Sequence, residues 1–434
     1  MTPTAIGLIG IGILLLLFAL RVPIAFAMAL VGFVGFAYIS GLTAALGIIG
    51  TVPFRTVAHY SISVIPLFIL MGLFIFYAGV SRELFAAAYK WLGWLPGGLA
   101  IATITACAGF AACCGSSPAT AATMGAVALP EMRKYNYDSA LATGSIAAGG
   151  TLGILIPPSV LLILYGIMTE QSIGKLFISG ILPGILLASL MIVAIYIKVS
   201  RNLHLGPPGP KTNLKEKVVA LKGIWTILIL FSLVMGGLYL GLFTPAEGGG
   251  IGACGAFLVM LVKRQLNWQN FVRSLVDTGK TTAMVFAIVI GAMIFGYFLA
   301  VTKIPMNLAD FVAGLDVPRY VTLGIILFVY LVLGCVMDAL AMILVTIPIF
   351  YPLVIALGFD PIWFGVIMVI VAEMGLITPP VGVNVFIIAG VAKDTPLFVI
   401  FRGIFPFLMA MIVSLTILIF FPQIVLFLPS LMTY

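Results

Sequence analysis

Read for hydrophobicity alone, the chain is a succession of apolar runs divided by short polar punctuation. Runs at about 4–20, 22–40, 62–80, 176–198, 224–243, 246–262, 281–300 and 397–421 lie near the ~20 residues that a helix needs to cross a hydrocarbon core. Two regions, about 97–130 and 320–352, are too long for one span and are interrupted near their middles. They are expected as helical hairpins that enter and leave on one side. Two more, about 138–168 and 360–391, carry Pro-Pro pairs, in GILIPPSV (153–160) and GLITPPVG (375–382), and are expected as broken helices. The polar stretch 201–223 reads as a water-exposed connector. SRELFAAAYKWLGWLP (81–96) and KIPMNLADFVAGLDVP (303–318) mix charge with apolar residues, as helices lying in the membrane interface do.

The punctuation repeats. A shift of 222 positions carries Pro96 onto Pro318, Pro130 onto Pro352, Asp138 onto Asp360, Gly153 onto Gly375, and Pro157–Pro158 onto Pro379–Pro380. Pro183 meets Pro406 with a one-residue slip. Such self-similarity is the signature of an internal duplication, common in secondary transporters. Hairpins that return to their own side leave an odd number of crossings between equivalent points, which turns the second copy upside down. With the connector placed in the cytoplasm, seventeen of the 21 Lys and Arg residues fall inside, and only Arg55, Lys175, Lys303 and Arg319 fall outside. That bias supports inversion, with both chain ends on the outer side.

The expected fold is therefore an all-α polytopic membrane protein built from two inverted repeats with re-entrant hairpins and broken helices. Its expected organisation is scaffold helices in 1–80, a first repeat with its arm in 81–200, the cytoplasmic connector 201–223, scaffold helices in 224–300, and a second repeat with its arm in 301–434. Composition agrees: 63% of the 434 residues are hydrophobic and 8% charged, too few charges to cover a soluble domain. The opening MTPTAIG lacks a basic region and reads as a first span rather than a cleaved signal. The net charge of +8 follows from positive residues orienting the spans; no basic, aromatic-interleaved soluble segment points to nucleic acid. Cys107, Cys113, Cys114, Cys254 and Cys335 are odd in number and irregular in spacing, which argues for packing rather than disulfides or zinc. The two histidines, the lack of a G-x-S-x-G elbow and the lack of a Walker motif argue against an enzyme and against ATP hydrolysis.

Why break a helix inside a membrane? Every backbone N–H and C=O there needs a partner, so a break is tolerated only beside protein or a cavity. Proline removes a donor and turns its predecessor away from helix, leaving carbonyls around Gly153–Ile156 and Gly375–Thr378 without helical partners. Such oxygens suit small hard cations, while the helix that follows offers N–H groups to an anion. The hairpin middles carry the same logic. ACCGSSPATAATMG (112–125) places Ser117 as an expected N-cap before Pro118, and GCVMDALAMILVT (334–346) supplies Asp338. Asp338 and Glu373 are ionisable groups at membrane depth, candidates for function, although Asp338 equally suits a helix cap. Small residues in such turns also serve close helix packing.

GSSPATAATMGAVALPEM, the paired Pro-Pro breaks and ITPPVGVNVFIIAG resemble the large membrane subunit of TRAP transporters, the tripartite ATP-independent periplasmic class, over essentially the whole chain. The resemblance implies a bacterial inner-membrane carrier of elevator type, driven by Na+, with a small four-helix membrane subunit and a periplasmic protein that captures an organic acid. It implies a first cation site at Ser116 and Ser117 with the carbonyls of Gly153 and Ile156 near Pro158. It implies a second at Gly334, Gly375, Thr378 and the region of Pro380, and substrate contacts from Thr120, Ser159 and Asn384. C4-dicarboxylates, sialic acids and other carboxylates are all compatible. The residues also admit a stand-alone sodium/anion or dicarboxylate carrier without partner proteins, and a channel-like membrane protein.

Overall fold

The structure, a computed structural model, describes residues 2–313 and 317–432, and among them every regular element is helical. The first half holds α1 (Pro3–Ala19), α2 (Ile24–Ser40), α3 (Leu42–Ala58), α4 (Val64–Tyr77), α5 (Val80–Leu92), α6 (Gly98–Cys114), α7 (Ser117–Lys134), α8 (Ser139–Leu155), α9 (Val160–Thr169) and α10 (Ile173–Arg201). The second holds α11 (Leu214–Tyr239), α12 (Pro245–Val262), α13 (Trp268–Thr302), α14 (Ile304–Ala313), α15 (Arg319–Gly334), α16 (Ala339–Ala356), α17 (Pro361–Gly375), α18 (Val383–Val391), α19 (Leu397–Phe420) and α20 (Gln423–Ser430). Among the described residues eight segments are long and apolar enough to cross a membrane, the 31-residue unit Ser139–Thr169 (α8 with α9) being one.

The 222-residue shift extends beyond the punctuation. It lays α7 on α16 end for end, α6 on α15, α8 on α17 and α10 on α19. It also lays α2 on α12, and α3 with α4 on the single 35-residue α13. Caps obey the same register. Asp138 Oδ1 accepts from Leu141 N (2.9 Å), and Asp360 Oδ1 accepts from Ile362 N (2.8 Å) and Trp363 N (2.9 Å). Ser116 and Asp338, also 222 apart, cap α7 and α16 through Ala119 N and Leu340 N. Each satisfies an end N–H that has no partner within its helix.

The two hairpins enter from opposite ends. The base of α6–α7 lies on the connector: Gly97 N donates to Gly206 O (2.9 Å) and Asp138 N to Leu205 O (3.0 Å). The arm α5, just before that base, is tied by Glu83 to Lys263 at the end of α12, and follows Tyr77, whose hydroxyl donates to Asp277 on the first turns of α13 (2.9 Å). The second arm, α14, sits past the other end of α13 beside the chain's start, where Asn307 Nδ2 donates to Thr4 Oγ1 (2.9 Å). The copies are therefore inverted about the middle of α13.

Small residues set the packing. α2 lies on α13 with Gly32 against the Phe295 backbone and Gly291 against Ala25 O; α12 lies on α4 through Gly249 and Gly252. α8 crosses α19 where Gly144 and Gly403 bring the two backbones together. Close approach of this kind drives helix association where lipid offers no hydrophobic gain.

Three differences from the sequence reading stand out. Residues 42–58, left outside any span, form α3; Pro53 and Arg55 dilute its hydropathy. The connector is loose only over 202–213, because LKEKVVALK (214–222) is rich in strong helix formers and opens α11. Pro130 and Pro352, expected at the ends of the two hairpins, lie inside α7 and α16. Residues 314–316 of the expected second arm lie outside the described residues.

Gly403→Ala should be costly, since its new methyl would press on the Ala140 backbone, and overpacking of this kind costs ~1–3 kcal/mol or more. Gly279→Ala on α13 has open space around it and should be neutral or stabilising by up to ~1 kcal/mol. Thermal melts of the two variants by size-exclusion recovery check the contrast; equal melting behaviour would contradict the α8–α19 contact.

Candidate functional site

At the first break, α8 ends at Leu155 and Ser159 caps α9 by accepting from Leu162 N (3.3 Å). The carbonyls of Gly153 and Ile154 face Pro157 and Pro158, which have no N–H to give. Those of Leu155 and Ile156 accept no backbone hydrogen bond among the described residues. The first hairpin tip fits over this break. Gly115, with φ of +63°, takes the left-handed turn that glycine permits, and a Cβ there would lie 2.7 Å from Pro158 O. A Cβ on Gly153 would lie 2.5 Å from Thr120 Oγ1 and 2.7 Å from Ser116 O. Ser116 O and Thr120 Oγ1 thus converge on Gly153, with Pro158 O against the neighbouring Gly115, and Thr120 Oγ1 is buried without a hydrogen-bond partner.

The second break is longer, running from Leu376 to Gly382. Here part of the expected set of free carbonyls is used. Gly375 O accepts from Thr378 N (3.1 Å), Leu376 O from Asn384 N (3.1 Å), and Met374 O from Thr378 Oγ1 (2.6 Å). Ile377 O and Thr378 O accept no backbone bond among the described residues. The cause is the extra length: two residues beyond the prolines, Val381 and Gly382, against Ser159 alone in the first break, let the chain fold back on itself before α18 begins. The hairpin tip meets this break too, with Val381 N donating to Cys335 O (3.3 Å) and Gly375 packed on the Gly334 backbone. Both Pro-Pro bonds are cis. The first break is buried throughout, while Pro379, Pro380 and Val381 are exposed.

One side chain joins the repeats at this depth. Asn384 Nδ2, at the start of α18, donates to Ser117 Oγ (2.7 Å) and to Ala147 O (3.3 Å). Both side chains are fully buried.

Between the tips lies a cavity of about 560 Å³. Its walls come from the first tip (Gly115, Ser116, Pro118), the second tip (Asp338, Ala339, Leu340), the breaks (Ile154, Val160, Leu376), and the facing helices α4 and α13. Its polar side chains are Ser116, Thr123, Thr281 and Asp338. Thr281 was not singled out from sequence; its signal is a Thr-Thr pair following Lys280 inside an apolar run. The expected substrate contacts Thr120, Ser159 and Asn384 are fully buried and lie behind the cavity wall rather than on it. Each is held back by packing or by a bond of its own: Thr120 against Gly153, Ser159 as a cap, Asn384 on Ser117. The structure thus brings together Ser116 with Gly153, Gly115 with Pro158, and Gly334 with Gly375, whose carbonyl accepts from Thr378 N. It sends Ser117 instead to Asn384. Ile156 turns its side chain toward Gly184 on α10.

Inverted repeats whose broken elements meet around a central cavity define a membrane transporter. The family described as "Tripartite ATP-independent periplasmic transporter, DctM component" matches residues 11–424. The chain is 40% identical over 379 residues to the C4-dicarboxylate TRAP transporter large permease protein DctM of Pseudomonas aeruginosa, covering 87% of this chain and 88% of that protein. It is 32% identical over 374 residues to the sialic acid TRAP transporter large permease protein SiaM of Vibrio cholerae, covering 86% and 87%. Among solved structures it is similar to the Alcanivorax borkumensis YdaH transporter, with a TM-score of 0.64 at 15% identity over 88% of this chain and 90% of that one; that likeness concerns fold alone. The chain belongs to the large permease (DctM) family of TRAP transporters, and is accordingly a multi-pass protein of the bacterial inner membrane. Its relatives are transport subunits rather than enzymes.

The Ser117–Asn384 bond invites a double-mutant cycle. Ser117→Ala and Asn384→Ala should each destabilise, with a coupling of ~0.5–1.5 kcal/mol in denaturant unfolding; additive effects would show that the bond is not made.

Proposed function

We propose that this chain carries an organic acid anion into the cell by sodium-coupled secondary transport. A periplasmic binding protein delivers the substrate, and a small membrane subunit completes the assembly. The observation that carries this reading is the convergence of each hairpin tip on its own break, where oxygens of backbone and hydroxyl groups face one another beside a shared cavity. Carbonyl and hydroxyl oxygens are hard ligands for a small cation. The first site is Ser116 O, Thr120 Oγ1, Gly153 and Pro158 O, and the second is built from Gly334, Gly375 and the carbonyl and hydroxyl of Thr378. The Thr378 hydroxyl spends its proton on Met374, which leaves its lone pairs free for an ion.

The substrate belongs in the cavity, where the N-terminus of α7 and the hydroxyls of Ser116, Thr123 and Thr281 face an incoming carboxylate. Relatives named for C4-dicarboxylate and sialic acid support a carboxylate and leave its size open. Coupling follows from order. An ion at a break ties tip to broken helix and completes the cavity wall before the anion enters. The tips and breaks form one unit against the facing α4 and α13, an arrangement suited to an elevator in which that unit slides past the scaffold.

Uptake of labelled carboxylates into proteoliposomes, with the small subunit present and a cognate binding protein outside, tests the reading. Accumulation is expected only with both an inward sodium gradient and the binding protein. Accumulation without the binding protein would favour a stand-alone carrier, and passive equilibration alone would reject coupled transport. Thr378→Ala should raise the sodium concentration for half-maximal uptake ~3–10-fold, as befits ~1 kcal/mol lost with one neutral ligand oxygen; unchanged sodium activation would remove Thr378 from the site.

A further inference from the structure

One buried acid takes no part in either break site. Glu373 lies on α17, 1% exposed, and neither of its carboxylate oxygens has a hydrogen-bond partner. Its polar neighbours are the Ser117 hydroxyl and, farther off, the carboxylate of Asp338. Among the described residues no Lys, Arg or His pairs with it. Ser117 is the shared neighbour of a second unsatisfied group. Asn384 gives its Nδ2 to Ser117 Oγ (2.7 Å) and Ala147 O (3.3 Å), which leaves Asn384 Oδ1 buried with no donor facing it.

The Ser117 oxygen already accepts from Asn384 Nδ2, so it can offer Glu373 no more than its one proton. Asn384 Oδ1 is left without a donor in the same dry interior. A positive partner would answer both. Buried polar atoms without partners are rare in folded proteins, and each asks for an explanation. A carboxylate held away from water costs several kcal/mol unless something compensates it. A water molecule would meet the hydrogen-bonding need and leave the charge. The oxygens on offer are the Glu373 carboxylate, the Asn384 amide oxygen and the Ser117 hydroxyl. All are hard oxygen ligands, suited to an alkali or alkaline-earth ion rather than to a soft metal. The site also has no twin. The shift that pairs the two breaks puts Thr151 at the place of Glu373 and Leu162 at the place of Asn384, so these ligands exist once, and the first repeat enters only through Ser117.

We propose that Glu373, Asn384 and Ser117 form a further sodium site, shared by the two repeats and distinct from the pair at the breaks. It rests on the sodium-coupled reading and adds one ion to it. Its ion neutralises the one fully buried acid near the cavity among the described residues, so that an anionic substrate enters a region without net negative charge behind its wall. It also joins α7 to both limbs of the second broken helix, α17 and α18.

Equilibrium binding of radiolabelled sodium to the full chain in lipid nanodiscs tests this. Glu373→Gln is isosteric and uncharged, and should bind one ion fewer per chain than wild type. Glu373→Asp keeps the charge and should keep the count with weaker binding, whereas a merely structural role would make the two variants alike. Ser117→Ala, small enough to fold, should weaken the binding of one ion severalfold. The same number of ions bound by Glu373→Gln and wild type would overturn this site and leave the break sites standing. No binding by wild type would overturn the sodium reading and this site with it.

Discussion

The structure depends on one constraint: a backbone carbonyl or amide left unpaired in hydrocarbon costs several kcal/mol. A chain that interrupts four of its helices at mid-membrane must therefore bring the interruptions together. It does so by laying each hairpin tip on a break, Gly115 on Pro158 O and Cys335 O on Val381 N. The glycines follow from that need. Gly115 turns with positive φ where a side chain would strike the neighbouring backbone, and Gly153, Gly334 and Gly375 let main chains approach where a Cβ would part them. Hydrogen bonds within the chain meet part of the demand, and the carbonyls that remain face each other at the cavity's edge.

The two copies solve the same problem unequally. The first break is short and buried, and leaves a run of carbonyls without backbone donors. The second is longer, folds two of its carbonyls back onto Thr378 N and Asn384 N, and exposes its prolines. The caps differ in the same way. Ser116 and Asp338 occupy one register position and do one structural job, yet only Asp338 adds a charge to the cavity wall. Capping thus accounts for an acid at that depth without a role in coupling.

Much of this architecture was legible in residue punctuation. Proline pairs, aspartates and glycines recurring at one interval located the breaks, the hairpins and the inversion, because these residue types act through the backbone, which the duplication preserved. Hydropathy was a weaker guide where polarity and helix coexist, at α3 with its Pro53 and Arg55 and at the charged first turns of α11. Side-chain direction was less legible still. Ser117 and Thr120 share a helix turn with Ser116, and sequence cannot say that Ser116 lines the cavity while Ser117 turns to Asn384 across the repeats. That partnership spans 267 residues, and no local pattern encodes it. Thr281 escaped notice for the same reason, since the cavity takes it from the scaffold.

Divergence between the copies is also where an inverted repeat becomes directional. Two identical halves would present the same ligands to both sides of the membrane. Here the backbone geometry of the breaks is kept in both, while Glu373 and Asn384 stand where the first copy has Thr151 and Leu162. The Asn384 amide reaches across to the first hairpin at Ser117, so that the tip belonging to one repeat is held by the other. The same residue closes the second break, its backbone N donating to Leu376 O, so one residue serves both the break and the first tip. Buried bonds of this kind have few alternative partners in a low-dielectric interior. One amide therefore ties the first hairpin tip to the second broken helix beside the cavity.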